Sequence, residues 1–138
     1  MIESSENTSA SIEAIAFQAA QSRSLTISDL PAGIVLTVET ESGSTYSFEI
    51  VDPVKRHAIE AGEKTIWKSG DRVRIDGSLV GGSTTSWGHV RVGHILSLTH
   101  TTKRDDMGLP NNGTTSRVRR ILLNGVQILP PPPTGFKS

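Results

Sequence analysis

From Ser69 to Thr102, apolar residues recur at every second position between glycines. In Asp71-Arg72-Val73-Arg74-Ile75-Asp76-Gly77 the alternation is strict. It puts Val73 and Ile75 on one face of a strand and Arg72, Arg74 and Asp76 on the other, the signature of a half-buried β-strand. After Gly81-Gly82 the pattern returns in Val90-Arg91-Val92 and Leu96-Ser97-Leu98, so the middle of the chain reads as consecutive antiparallel strands joined by Gly/Ser/Thr turns.

Two further alternating segments precede it. Ile34, Leu36 and Val38 share one face, as do Tyr46, Phe48 and Ile50, with Glu41-Ser42-Gly43-Ser44 as the hairpin turn between them. Asp52-Pro53 offers a helix N-cap with proline at the first helical position and Gly62 as a stop, predicting a short second helix over Pro53 to Ala61. Around Val90 to His100 the parity breaks, because Val90, Val92, His94, Leu96 and Leu98 share one phase and Ile95 does not. A bulge at Gly93 would restore it. Thr101 to Ser116 has no periodicity and reads as a mobile or functional loop. Arg117 to Leu123 and Val126 to Leu129 read as strands around an Asn124-Gly125 hairpin turn.

The fold class that follows is all-β: a small, partly open barrel of five to six strands, OB-like or SH3-like, with a short N-terminal helix. That helix is expected from Ser11 onward, with Ile12, Ile15, Ala16, Ala19 and Ala20 on one face, Ser9 or Ser11 as cap, and Phe17 buried beneath it. Residues 1–10 are polar and read as disordered, 11–129 as one barrel domain, and 130–138 as a proline-rich tail. Pro130 to Pro133 satisfies Pro-x-x-Pro, but is favoured here as a block against extension of the last strand.

The chain has no cysteine, which excludes disulfides, thiolate metal sites and thiol nucleophiles. No apolar run approaches the roughly 20 residues a membrane helix needs, and the first residues lack the basic start and apolar core of a signal peptide. The expected location is therefore cytoplasmic, without a membrane partner, and the Asn7 and Asn112 sequons read as chance.

Metal chemistry has little support. His57 and Glu60 at i, i+3 on the predicted helix form half a motif. His89 and His94 point to opposite faces of a strand, and His94 and His100 lie about 20 Å apart along one. Asp105-Asp106 reads as a solvated pair. No nucleophile elbow appears, and the glycine-rich Gly77 to Ser83 segment lacks the lysine and following helix of a phosphate loop. No cofactor, metal or catalytic residue is assigned, and the chain is expected to be non-enzymatic.

Charge supplies the remaining signal. Net charge is zero, yet residues 1–63 carry ten carboxylates against three bases (−7) and residues 64–138 eleven bases against four carboxylates (+7). Either the two halves interleave and their charges pair across strands, or an acidic and a basic face remain for a partner or for head-to-tail association. The residues that would receive an anionic partner are Arg72, Arg74, Arg91, Lys103, Arg104, Arg117, Arg119 and Arg120, with Trp67 and Trp87 as stacking platforms. Only six aromatics and a pI near 7 argue against a phosphate-binding surface. The preferred reading is a binding and assembly module that self-associates or meets a protein partner, and the alternative is a single-stranded nucleic-acid binder. Arg117, Arg119 and Arg120 are expected to meet acidic strands of the same barrel or of a neighbouring subunit.

Overall fold

A computed structural model describes residues 5–80 and 84–131. Helix α1 (Ser5–Ser22) leads into β1 (Leu25–Thr26) and a single 3-10 turn, Ile27–Asp29. The strands that follow are β2 (Val35–Thr40), β3 (Thr45–Asp52), β4 (His57–Ala61), β5 (Arg72–Val80), β6 (Thr84–Trp87), β7 (His89–Val90), β8 (Ile95–Arg104), β9 (Pro110–Leu123) and β10 (Val126–Leu129).

The alternating segments pair as their patterns require. β2 pairs with β3, β3 with β4, β4 with β5, β5 with β8, β8 with β9, and β9 returns to β2, all antiparallel. Six strands therefore close a ring of hydrogen-bonded neighbours, where sequence reasoning expected a partly open sheet. Closure leaves those strands without a free edge along the ring. Leu36, Val38, Phe48, Ile50, Val73, Ile75, Leu96, Leu98, Ile121 and Leu123 turn inward from successive strands and are fully buried. Ile12, Ala16 and Ala19 of α1, with Leu25, Ile27 and Leu30, join the same core.

β5 changes neighbour halfway along. Arg72 to Arg74 pairs with β4, while Gly77 to Val80 pairs with β6. Between the two halves the β5–β8 register shifts at Asp76, a bulge. The shift reverses the phase, so that Ser78 is buried opposite the core residue Leu96. Its hydroxyl is satisfied by the backbone N–H of Arg91 at 2.9 Å. Gly77 is required in this place: its φ is +140°, and a Cβ there would run into the carbonyl oxygen of Ser86.

Several expectations need correction. Pro53 to Ala61 is not a helix. Asp52 does cap, its Oδ1 accepting the Lys55 N–H at 3.1 Å, but for one turn only; Arg56 takes φ 63° and His57–Ala61 runs on as β4. The Asp-Pro signal is shared by turn and helix starts, and Ala58 and Glu60 are buried at the strand period of two. His57 and Glu60 consequently lie on opposite faces, which removes the half-motif for metal. Gly93 is not a bulge within one strand either. Val90 pairs with Leu25, and residues 91–94 turn before β8 begins, with Gly93 at φ 91°.

Thr101 to Ser116 is not a structureless loop but the far end of the β8–β9 hairpin, turning at 105–109. Its residues do not alternate because most of this arm is exposed. α1 begins at Ser5, inside the segment read as disordered, and Phe17 lies on its outer side, 64% exposed, rather than beneath it. Residues 132–138, and with them half of the proline run, lie outside the described residues.

Candidate functional site

The outer surface of β4, β5 and β6 carries Arg72, Arg74, His57 and Trp87, with Arg56 at its junction. His57 stands opposite Arg74, and Ile59 opposite Arg72, across the β4–β5 pair. Trp87 stands opposite Gly77 across β5–β6, where the missing side chain leaves the indole uncrowded and 58% exposed. Arg56 closes the junction between β4 and β6. Its carbonyl accepts the Ile75 N–H, its Nε donates to the Ile75 carbonyl at 3.0 Å, and its guanidinium lies over the Trp87 ring, 5.9 Å from the centroid. The left-handed backbone at Arg56 and these bonds hold the cation in place before any ligand arrives, a pre-formed cation–π pair.

Around this pair the charge is unevenly balanced. Arg74 Nε donates to Asp76 at 2.6 Å, and Asp76 also accepts from Thr99 Oγ1 at 2.7 Å and Ser97 Oγ at 3.3 Å, so this carboxylate is fully engaged. Arg72 and Lys55 have no carboxylate within 4.0 Å among the described residues. His57 registers the resulting field. Burial and then Arg72, with Lys55 and Arg74 behind it and Asp52 opposing, hold its imidazole below the usual histidine range. Its Nδ1 is buried without a partner among the described residues.

A second polar constellation resembles catalytic machinery in outline. His100, buried, donates from Nε2 to Asp71 Oδ2 at 3.0 Å, and Thr102 Oγ1 lies 3.4 Å from His100 Nδ1. Nδ1, however, already accepts the backbone N–H groups of Thr102 at 3.1 Å and Lys103 at 2.9 Å. A nitrogen saturated in that way has no lone pair free to take a proton from a hydroxyl. The arrangement anchors the base of the β8–β9 arm, and the Trp67 ring completes it, edge-on to His100 at 5.2 Å and against Gly113.

The ten residues singled out from sequence are thus dispersed. Arg72, Arg74 and Trp87 share the outer face just described. Trp67 packs half-buried under the arm. Lys103 lies 3.8 Å from Asp71, and Arg104 ends β8 in the exposed arm. Arg91 sits in the turn after β7, its Nε buried without a partner among the described residues. Arg117 is exposed at the ring's far side, opposite Ile95. Arg119 and Arg120 both bind Glu39, the cross-strand pairing anticipated for them. Arg56 was missed, and His57 was weighed only as half of a metal motif. Their signal lay in the turn after Asp52-Pro53, but only the cross-strand register reveals that they meet Trp87 and Arg74.

No group of three histidines or carboxylates among the described residues is placed to hold a metal ion. No helix among them is long and apolar enough to cross a membrane. The chain matches no protein-family model, no curated protein and no solved structure.

Proposed function

We propose that the closed ring is a small barrel, OB-like or SH3-like in size, that serves as a non-enzymatic binding and assembly module. Its contact surface is the outer face of β4, β5 and β6, and its ligand is an acidic partner, in the first instance another copy of the chain. The observation that carries this reading is the Arg56–Trp87 pair. It is an exposed aromatic platform, fixed from behind by a locked guanidinium, on the face that also carries the uncompensated Arg72, with Lys55 next to Arg56 in the chain. Val54, also exposed, extends its apolar part beside Lys55. Interfaces draw their energy from such aromatic and arginine anchors.

Light scattering with and without a random single-stranded oligonucleotide tests it. The expected result is a mass above the 14.8 kDa of one chain that falls when Trp87→Ala and Arg72→Ala are combined, and that the oligonucleotide leaves unchanged. Micromolar oligonucleotide binding at about 0.15 M salt, where surface charges are screened beyond roughly 8 Å, would instead support the single-stranded nucleic-acid reading of the same face. A single-chain mass with no ligand bound would remove both.

A further inference from the structure

We infer that the outer face of helix α1 from a second copy is what occupies the Arg56–Trp87 platform; this rests on the reading of that platform as a contact surface. Among the described residues, Phe17 and Trp87 are the two exposed aromatics. They lie on surfaces of opposite charge. Phe17 follows the exposed Glu13 by four residues, so the two are neighbours on one helix face. The sequence of α1 holds two carboxylates, Glu6 and Glu13, and no base. Trp87 carries the Arg56 guanidinium over its ring, and on β5 Arg74 lies three residues from its partner Gly77. An aromatic beside a carboxylate and an aromatic beside a guanidinium make a complementary pair, both in apolar area and in charge.

α1 is free to present this face because its other side is committed. Ile12, Ala16 and Ala19 are buried against the core, and α1 packs on β1 and β10. The exposed side, Glu13, Ala14, Phe17, Gln18 and Gln21, has only one bulky apolar side chain. An isolated exposed phenylalanine needs no explanation. One placed beside a carboxylate, in a chain whose other exposed aromatic among the described residues carries a guanidinium over its ring, is what charge-complementary association between copies requires. An 18-residue helix is about 27 Å long. One face of it is small beside the roughly 800 Å² per partner of a standard interface, so the association is concentration-dependent, and stronger if two copies exchange helices reciprocally.

Sedimentation velocity on the full chain over about 1 μM to 1 mM, at low and high salt, is the experiment. The self-association constant is expected to weaken by about tenfold or more in Phe17→Lys, in Trp87→Ala and in the charge reversal Glu13→Arg. Salt should weaken wild type. All these side chains are exposed, so unchanged melting temperatures are expected and separate lost contacts from lost folding. Association abolished by Trp87→Ala but indifferent to Phe17→Lys and Glu13→Arg would overturn the helix as occupant while leaving the platform intact. A monomer at every concentration would overturn the inference too. If that monomer binds a random oligonucleotide through Trp87 the platform still stands, and if it binds none both readings fall.

Discussion

Arg120 of β9 holds both carboxylate oxygens of Glu39 on β2, Nε reaching Oε1 and Nη2 reaching Oε2, each at 2.9 Å. Arg119 binds the same Oε1. Consecutive strand residues ordinarily point to opposite faces. They converge here because the β2–β9 register steps from Glu39↔Arg120 to Thr40↔Val118, leaving Arg119 as the extra residue of a bulge.

A stability prediction follows from that convergence. The two guanidinium groups, Arg120 first and Arg119 next, hold the Glu39 carboxyl down at about 2, from an ordinary 4.5. Because the folded value lies below the unfolded one, the contribution is complete above pH 4.5 and is lost as pH falls from 4.5 toward 2. Both arginines are about half exposed, so solvent screening keeps the contribution of the pair small. Glu39→Gln should lower the melting temperature at pH 7 by no more than a few degrees and flatten its dependence across that acid window. A variant as acid-sensitive as wild type would show that Glu39 is not the titrating group.

The ring strands were legible where one side of a strand is dry and the other wet. Ile34 to Val38, Tyr46 to Ile50 and Val73 to Ile75 alternate because the ring interior requires it. Where a residue's phase is set by its neighbour on another strand, sequence alone was blind. The Asp76 bulge depends on the β5–β8 register, and the Arg119 bulge on β2. The latter did leave a trace, since Val118 and Ile121 are both buried yet three apart, a spacing that a regular strand cannot place on one face. The β8–β9 arm was illegible for the opposite reason: with little to bury, its threonines and asparagines follow no apolar pattern. Of the candidate site, sequence supplied Trp87, Arg72 and Arg74 but not Arg56 or His57, because the second helix it expected would have turned them away from β5.

Val73 tests the inward face most directly. It is fully buried on β5, paired with Ala58 on one side and His100 on the other. Val73→Asp would place an unpaired charge in the ring interior, at a cost of about 4 kcal/mol. Chemical denaturation should show a variant that is largely unfolded or melts far below wild type. A stable, cooperatively melting variant would mean that this face is not core.

Glu60 is a buried carboxylate used as a clamp. Its Oε1 accepts the N–H of Ile66 at 2.7 Å and its Oε2 that of Trp67 at 3.0 Å, tying the segment between β4 and β5 down at the ring's end. Glu60→Ala leaves both donors without an acceptor and should cost about 2–4 kcal/mol, with amide exchange at Ile66 and Trp67 accelerating before the ring strands respond. Glu60→Gln keeps one acceptor and should fall between the two. Equal exchange in all three proteins would show that the segment is held by Trp67 packing alone.

The tip of the β8–β9 arm is the expected site of first internal cleavage among the described residues, but over a far shorter stretch than its sequence suggested. The β8–β9 pairing breaks after Thr99↔Asn112 and resumes at Arg104↔Pro110, the N–H groups of Thr102 and Lys103 going to His100 between them, and Trp67 braces the arm at Gly113. The exposed turn between Arg104 and Pro110 presents Met107, 82% exposed, and Leu109. Asp105 organises it, its Oδ1 accepting the N–H groups of Met107 and Leu109, each at 2.9 Å. Proteolysis requires an extended, locally opened segment, and this turn resists opening through that carboxylate and two backbone bonds, Asp105 N–H to the Leu109 carbonyl at 2.8 Å and Gly108 N–H to the Asp105 carbonyl at 3.0 Å. Chymotrypsin should therefore cut first within 105–109, and Asp105→Ala should speed that cut several-fold while leaving the melting temperature within about 1 °C, as for other surface changes. First cleavage within the ring strands, or a rate indifferent to Asp105, would show that the tip is pinned by something other than its own turn.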